Sequence, residues 1–231
     1  MIPNTSITNI SAYEKTSLDF RKIKGKTIEE RFRPFYEYVK DRQKELNYPF
    51  ARQFKRQFDN SHLRSNNNPD LESMNYGSQD YLGLSGESEV LDYVINRIKE
   101  IGFHTAGSPV LVGRTQESDQ IEKKISRLLE TEYTLIFPTG WMACFAAIAA
   151  HVTSQDYILL DEYAHNCLQV ASKYSTNNIK KIRHNEVNQI ENALQEIRKE
   201  NKISAIFIVI EGLYSMHSDI PNLTSIYELS K

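Results

Sequence analysis

The sequence predicts an α/β fold with a largely parallel sheet, and three observations support this prediction. From about residue 133 onward, apolar runs typical of strands alternate with helical periodicity. The run IFIVI at 206–210 is apolar without a break, as in a strand covered on both faces. The residues before about Met74 are instead rich in charge and aromatic rings. We therefore expect an N-terminal helical arm and loop over 1–74 and an α/β domain over 75–231.

The N-terminal segment contains one predicted amphipathic helix. Phe32, Phe35, Tyr36 and Val39 recur at helical spacing, and an irregular basic stretch follows them. An aromatic stripe of this kind is typical of core packing or of an arm that contacts a second subunit.

Helices and strands then alternate along the chain. Apolar residues at helical spacing predict helices over 90–98 and 121–129, with the Gly-rich segment GFHTAGSPVLVGRT between them. The predicted strands are 133–137, 157–161, 179–183 and 203–210. A helix follows each of the first three strands, as expected for a parallel sheet.

Unusual residues follow the first predicted strand, at the end where open parallel sheets bind ligands. A helix that begins at Gly140 or Trp141 presents unpaired backbone N–H groups, and Gly140 lets an anion approach the main chain closely. The Thr139 hydroxyl adds a further donor. These residues predict a phosphate site, with an ordinary glycine at a helix start as the alternative.

Two other strand ends carry candidate residues. His165 follows the second strand, where an imidazole either lies flat against a planar ligand or caps a helix. Cys167 does not share a helix face with His165, so we expect no Cys-His nucleophile pair. Glu211 ends an apolar strand, where a carboxylate needs a partner. Ser215 and Asp219 follow it, but without a G-x-S-x-G elbow a Ser-His-Asp hydrolase is not favoured.

Composition excludes several functions. A net charge of −2, a pI of about 6.3 and interspersed charges give no nucleic-acid footprint. The longest apolar run, Trp141–Ala150, is too short to cross a bilayer, and no targeting segment is visible. Two cysteines form no disulfide framework, which favours a cytoplasmic protein. We expect no metal, because the remaining histidines lack ligand spacing; they are His62, His104, His151, His184 and His217.

Six motifs, in this order and spacing, resemble those of the α-oxoamine synthases. They are SQDYLGL (78–84), AGSPVLVG (106–113), FPTGWMAC (137–144), DEYAHNC (161–167), RHNEV (183–187) and IEGLYSMHSDIPNL (210–223). These enzymes belong to the fold-type-I aminotransferase superfamily, use pyridoxal 5'-phosphate, and condense a small amino acid with an acyl-CoA thioester. The resemblance runs from about residue 75 to the end. It implies an incomplete fold-type-I large domain, the same cofactor and substrate classes, and a homodimer or heterodimer.

The resemblance also implies roles for individual residues. The phosphate would be held by Thr139, Gly140 and Trp141. His165 would stack on the pyridine ring and contact the substrate carboxylate as the catalytic residue of this half. The remaining implied contacts are Glu211 and Ser215 beside the ring and Gln79 at the substrate.

The sequence departs from the family at several positions. Family members usually have Asn at Gln79, His at Ser118 and Met-Asp-Gly-Asp at 216–219, so the amino acid and acyl group stay open. Ser218 replaces a turn glycine, which costs stability if the position needs positive φ. The Schiff-base lysine and the carboxylate partner of the pyridinium nitrogen fall beyond Lys231 in the family's order. We therefore expect this chain to lack its nucleophile.

The resemblance also predicts the strand order. The family sheet reads 3-2-4-5-6-7-1, which makes 133–137 the first strand and the other three predicted strands the second, third and fourth. The sheet is then incomplete, with 206–210 at an open edge. Three functions follow: the N-terminal portion of an acyltransferase of this family, a non-catalytic partner subunit or interrupted-gene remnant, or another fold-type-I aminotransferase or lyase.

Overall fold

A computed structural model describes residues 15–20, 23–25, 27–44, 54–56, 62–65 and 72–231. The chain divides into two compact units, Met1–Ala106 and Gly107–Lys231. The family domain predicted to begin near residue 75 is defined by sequence motifs rather than by compactness, and its boundary stays a prediction.

The first unit combines helices with a small antiparallel sheet. Its elements are α1 (Ile28–Lys44), β1 (Phe54–Arg56), β2 (His62–Ser65), β3 (Glu72–Met74) and α2 (Ser88–Ile101). The strands pair in the order β1-β2-β3. The basic stretch that was expected to be irregular therefore contains a strand at 54–56, because backbone pairing with β2 overrides its polar composition.

The predicted amphipathic helix is present as α1. Phe35 and Tyr38 contact Phe20, with ring centroids 5.6 and 4.9 Å apart, respectively. Phe32 and Tyr36 are 62% and 66% exposed. Part of the predicted stripe is therefore packed within the first unit, and contact of the exposed part with a second subunit stays a prediction.

The second unit is an α/β layer structure. Its elements are α3 (Gln116–Leu129), α4 (Gly140–His151), β4 (Tyr157–Asp161), α5 (Asn166–Ser175), β5 (Ile179–Ile182), α6 (Val187–Glu200), β6 (Ile206–Val209) and α7 (Leu223–Leu229). The three strands are parallel, in the order β5-β4-β6. The predicted parallel sheet is confirmed, and its order equals the 3-2-4 portion of the family order.

The central strand β4 is buried on both faces. Ile158 and Leu160 pack on one face with residues of α4 and α5, while Leu159 packs on the other with residues of α6 and α7. All three side chains are 0% exposed. Each contributes about 1.5–3 kcal/mol by burial, so β4 anchors the positions of the loops at its ends.

The segment 133–137 forms no strand, which corrects the prediction. Tyr133 and Leu135 are 80% and 70% exposed, and no described strand pairs with this segment. A strand is defined by ladder hydrogen bonds to a neighbouring strand, so an apolar run without one is not a strand.

None of the helices in the described part of the chain combines the length and apolar character required to cross a membrane.

Candidate functional site

The candidate site lies at the carboxyl edge of the parallel sheet. Because β4, β5 and β6 run in the same direction, their following segments emerge at one edge. These segments are 162–166, 183–186 and 210–219. Hydrogen bonds join all three segments, as described below, so the predicted strand-end residues do meet in space.

Thr139 caps the start of α4. Its backbone is extended, with φ −147° and ψ 153°, and its Oγ1 accepts a hydrogen bond from Met142 N–H at 3.1 Å. The N–H groups of Gly140 and Trp141 lie in the first turn, where a helix supplies no backbone acceptor. Apart from the two chain neighbours and the backbone of α4 itself, no described protein atom lies within 4 Å of the place where a Cβ would sit on Gly140. The helix start is therefore open to an anion.

His165 caps the next helix, α5, as one of its two predicted readings stated. Its Nδ1 accepts a hydrogen bond from Cys167 N–H at 3.2 Å. The indole of Trp141 meets the imidazole edge-on, with ring centroids 6.0 Å apart. The phosphate site predicted at α4 and the ring site predicted at His165 are therefore adjacent.

Cys167 contacts His165 although the two residues do not share a helix face, and the expectation that they form no nucleophile pair stays a prediction. The Sγ of Cys167 lies 2.9 Å from Nδ1 of His165, because His165 is a cap with non-helical backbone rather than a member of the helix. Burial raises the pKa of the Cys167 thiol, and its contact with Cys144 adds to the rise. Since Nδ1 already accepts the N–H of Cys167, the thiol is the donor in the contact between Sγ and Nδ1, and the ring proton lies on Nε2.

Glu211 finds the partner that its position requires. Its Oε1 accepts the backbone N–H of His165 at 2.5 Å, across the sheet edge from β6 to α5. Its own N–H donates to the hydroxyl of Tyr214 at 3.3 Å. Tyr214 is 1% exposed, and burial raises its pKa. Ser215 is exposed in the same turn.

The sequence prediction missed His184 as a site residue. Its ring lies between two carboxylates, with Nε2 2.7 Å from Asp219 Oδ2 and Nδ1 3.1 Å from both carboxylate oxygens of Asp161. In the sequence, His184 could have been identified by its position just after the strand β5. The same criterion identified His165 after the strand β4. No group of three or more His, Cys, Asp or Glu among the described residues is arranged to hold a metal ion.

Two other features of the sequence analysis are Gln79 and Lys231. Gln79 belongs to the first unit, where it is exposed next to Ser78 and Asp80, and its substrate role stays a prediction. Lys231 pairs with Glu228 at 2.9 Å and lines a groove with Ile206, at the amino end of β6. It therefore lies at the opposite end of the sheet from Glu211.

Comparisons with known proteins agree with this architecture. The sequence model of the family Aminotransferase class I and II matches residues 72–231. A putative 8-amino-7-oxononanoate synthase of Trichodesmium erythraeum is 31% identical over 158 residues, which are 68% of this chain and 40% of that protein. The serine palmitoyltransferase of Sphingobacterium spiritivorum is 30% identical over 67% of this chain and 38% of its own length. The chain thus spans about 40% of the curated relatives it matches.

Solved structures show the same fold. The serine palmitoyltransferase of Sphingomonas wittichii superposes with a TM-score of 0.78 at 24% identity, covering 88% of this chain and 50% of that one. A variant of the enzyme from S. paucimobilis, whose structure holds a bound PLP–myriocin aldimine, also gives 0.78, at 21% identity over 89% of this chain and 50% of that one. The predicted fold-type-I transferase fold is therefore confirmed.

Proposed function

Since this chain belongs to the aminotransferase class I and II family, we propose that it binds pyridoxal 5'-phosphate in an α-oxoamine synthase-like protein that joins a small amino acid to an acyl-CoA. The motifs shared with the α-oxoamine synthases and the named relatives support this substrate class. The observation that carries the proposal is the joint placement of the open α4 start, His165 and Glu211 at one sheet edge.

The phosphate group fits the start of α4. The N–H groups of Gly140 and Trp141 point from the helix end, and the Thr139 hydroxyl, which already accepts from Met142, keeps its proton for an anion. The helix dipole contributes only about 1 kcal/mol. Each charge-assisted hydrogen bond contributes roughly 1.5–3 kcal/mol, so these direct donors carry most of the binding.

The pyridine ring fits beside His165. The imidazole is exposed at the start of α5, and its orientation is fixed by Cys167 on one nitrogen and by the edge of Trp141. An imidazole held in this way offers a flat face to a planar ligand. Glu211 lies at the same helix start, where its second carboxylate oxygen can accept a hydrogen bond from the ligand.

The bound cofactor supplies an electron sink for the bonds at the α-carbon of the amino acid. The residues of this chain would bind the phosphate, orient the ring and place a carboxylate beside it. No lysine occurs in the segments 138–141, 162–166, 183–186 or 210–219, and Lys231 lies at the other end of the sheet.

The strand-end segments of this chain supply cofactor contacts without a lysine, which also fits a second candidate function, a non-catalytic partner subunit. In it, the same residues bind the cofactor or shape the site, while another polypeptide supplies the lysine. A homodimer or heterodimer belongs to either proposal.

The two cysteines are free thiols in the structure, which supports a reducing compartment such as the cytoplasm.

A charge placed at the phosphate site tests the proposal. Gly140→Asp puts a carboxylate at the first position of α4, where it suits the helix dipole but repels phosphate. Titration of the full chain with pyridoxal phosphate, followed by absorbance, should show binding at least roughly tenfold weaker, which equals about 1.4 kcal/mol. Gln116→Asp, at the first position of α3, is the matched control and should bind normally. Unchanged binding by Gly140→Asp, or no binding by the wild-type chain, would overturn the proposal.

A further inference from the structure

His184 is held between two carboxylates on different segments. Its side chain is 13% exposed, and that of Asp161, at the end of β4, is 5% exposed. The other carboxylate, Asp219, lies in the turn after β6. The three side chains therefore connect the sheet edge to the segment that begins at Glu211.

The hydrogen-bonding capacity of these groups fixes the protons on the ring. Asp161 Oδ1 also accepts the N–H of Tyr163 at 2.8 Å, so this carboxylate acts as an acceptor. Asp219 Oδ2 accepts from Asn185 at 3.2 Å, while its Oδ1 is buried with no hydrogen-bond partner among the described residues. With Asp161 and Asp219 as the acceptors, each ring nitrogen of His184 donates one proton, and Asn185 Nδ2, which also lies 3.2 Å from Nε2, donates to Asp219 instead.

The surroundings support a charged ring. Burial lowers the pKa of His184, but the hydrogen bonds to Asp219 and Asp161 raise it more, so the net pKa lies above its ordinary value. The hydrogen bond from His184 in turn lowers the pKa of Asp219. The other titratable groups that face the ring are Tyr163, Tyr214 and His217, with centroids 5.0, 4.4 and 6.0 Å away, and Glu162, which accepts the His184 backbone N–H at 3.1 Å.

The turn transmits the position of Asp219 to Glu211. Tyr214 N–H donates to the backbone oxygen of Asp219 at 3.0 Å, and Ser218 N–H donates to that of Tyr214 at 2.7 Å. The Tyr214 hydroxyl accepts the N–H of Glu211. Hydrogen bonds within one short turn therefore connect the position of Asp219 to that of Glu211.

We propose that His184, protonated on both ring nitrogens, is a positioning residue that joins Asp161 to Asp219 and so holds Glu211 against the start of α5. We call Asp161, His184 and Asp219 together the clasp. This proposal depends on the proposed function only for the identity of the ligand that Glu211 contacts. The geometry and the proton content of the clasp are measurable without any ligand.

The first test measures the pKa of His184 by NMR titration of its ring protons in the full chain without cofactor. Asp219→Asn removes the negative charge beside the ring, and its amide can donate to a neutral ring nitrogen as well as accept from a protonated one, so the pKa of His184 should fall by roughly one unit or more. Asp219→Glu restores the charge and should keep the pKa raised. Asp119→Asn, which removes an unrelated ion-paired carboxylate on α3, should leave it unchanged.

The second test follows the amide of His165, whose proton is held by Glu211. Its protection factor, corrected for intrinsic exchange, should fall severalfold as the pH rises through the pKa of His184 in the wild-type chain. It should be low at all pH values in Asp219→Ala. The clasp would be overturned if the pKa of His184 were at or below its ordinary value. It would also be overturned if the protection factor of the His165 amide changed neither with pH nor on substitution of Asp219. A chain that does not bind pyridoxal phosphate but passes both tests would overturn only the proposed function.

Discussion

The Sγ of Cys167 lies 2.9 Å from Nδ1 of His165, and the backbone N–H of Cys167 donates to the same nitrogen at 3.2 Å. Two donors on one nitrogen fix both the rotation and the tautomer of the ring. A buried thiol that no catalytic step uses thus acts on the exposed histidine at the centre of the candidate site.

Replacing that thiol should loosen the ring. Cys167→Ala removes one donor and should cost about 1 kcal/mol of unfolding free energy, together with a mixed tautomer at His165. Cys167→Ser keeps a donor and should preserve the Nε2–H tautomer. Long-range proton–nitrogen NMR spectra distinguish the tautomers. Identical His165 spectra in the alanine and serine variants would mean that the backbone N–H alone fixes the ring.

Removing the ring itself should weaken cofactor binding. His165→Ala deletes a stacking contact of about 0.5–1.5 kcal/mol, so pyridoxal phosphate should bind roughly two- to tenfold more weakly. His151→Ala is the matched control, because His151 ends α4 and bonds its own helix through Ala147 O at 2.7 Å. Equal losses in both variants, read from the cofactor absorbance, would contradict the assignment of His165.

Ser218 should be a site where glycine stabilises the fold. Its φ is 57°, as the departure from the family glycine predicted, and this left-handed region costs a residue with a Cβ roughly 1–2 kcal/mol. Glycine relieves that cost but gains freedom in the unfolded chain, so Ser218→Gly should raise the free energy of unfolding by up to about 1 kcal/mol. Urea denaturation measures this change in the free energy of unfolding. Ser225→Gly, inside α7, should instead lose about 0.5–1 kcal/mol, and a loss at Ser218 as well would contradict the strain.

Stability should depend on pH through the clasp. The pKa of His184 is raised in the folded chain, so its stabilising contribution is complete below the unfolded pKa and is lost as the pH rises through the folded pKa. The pKa of Asp219 is lowered, so its contribution is lost as the pH falls through that lowered value. Unfolding free energies at mildly acidic and alkaline pH should therefore diverge more in the wild-type chain than in His184→Asn. Parallel pH curves for the two proteins would argue against the charged ring.

Reduction with borohydride should mark no dominant lysine. The structure places Lys231 on Glu228 and at 4.6 Å from the ring of Tyr227, away from the candidate site. Pyridoxal phosphate and borohydride, followed by peptide mapping of the native chain, should give scattered, low-level labelling. The unfolded chain is the control. One stoichiometric pyridoxyl-lysine that requires the folded state would show that the chain contains its own nucleophile.

The sequence could predict what depends on local pattern. The apolar run at 206–210 and the Thr-Gly turn before α4 each give a signal within a few residues. The strand predicted over 203–210 is present over Ile206–Val209, and the helix predicted to begin at Gly140 or Trp141 begins at Gly140. The strand at 133–137 could not be judged in this way, because an extended apolar run becomes a strand only beside a partner. The sequence did not identify His184 as a site residue for a related reason. Its role depends on Asp161 and Asp219, which are distant from it in the chain.

The two neighbours of β4 differ in how far the chain must travel to reach them. Ile158 pairs with Ile179 on β5 and with Phe207 on β6. The second loop is more than twice as long and costs about 0.7 kcal/mol more to close. Among the described strands, β5 and β6 each pair on one side only, so the length of the connecting loop is what distinguishes them. We therefore expect β6 to dock last and to open first in native-state fluctuations.

Because Glu211 directly follows that strand, each such opening separates it from His165 while β4 and β5 remain paired. Local opening of β6, rather than global unfolding, should then set the lifetime of the assembled site. A ligand that contacts both α4 and Glu211 would slow this opening. Its binding free energy would then include the free energy needed to keep β6 paired with β4.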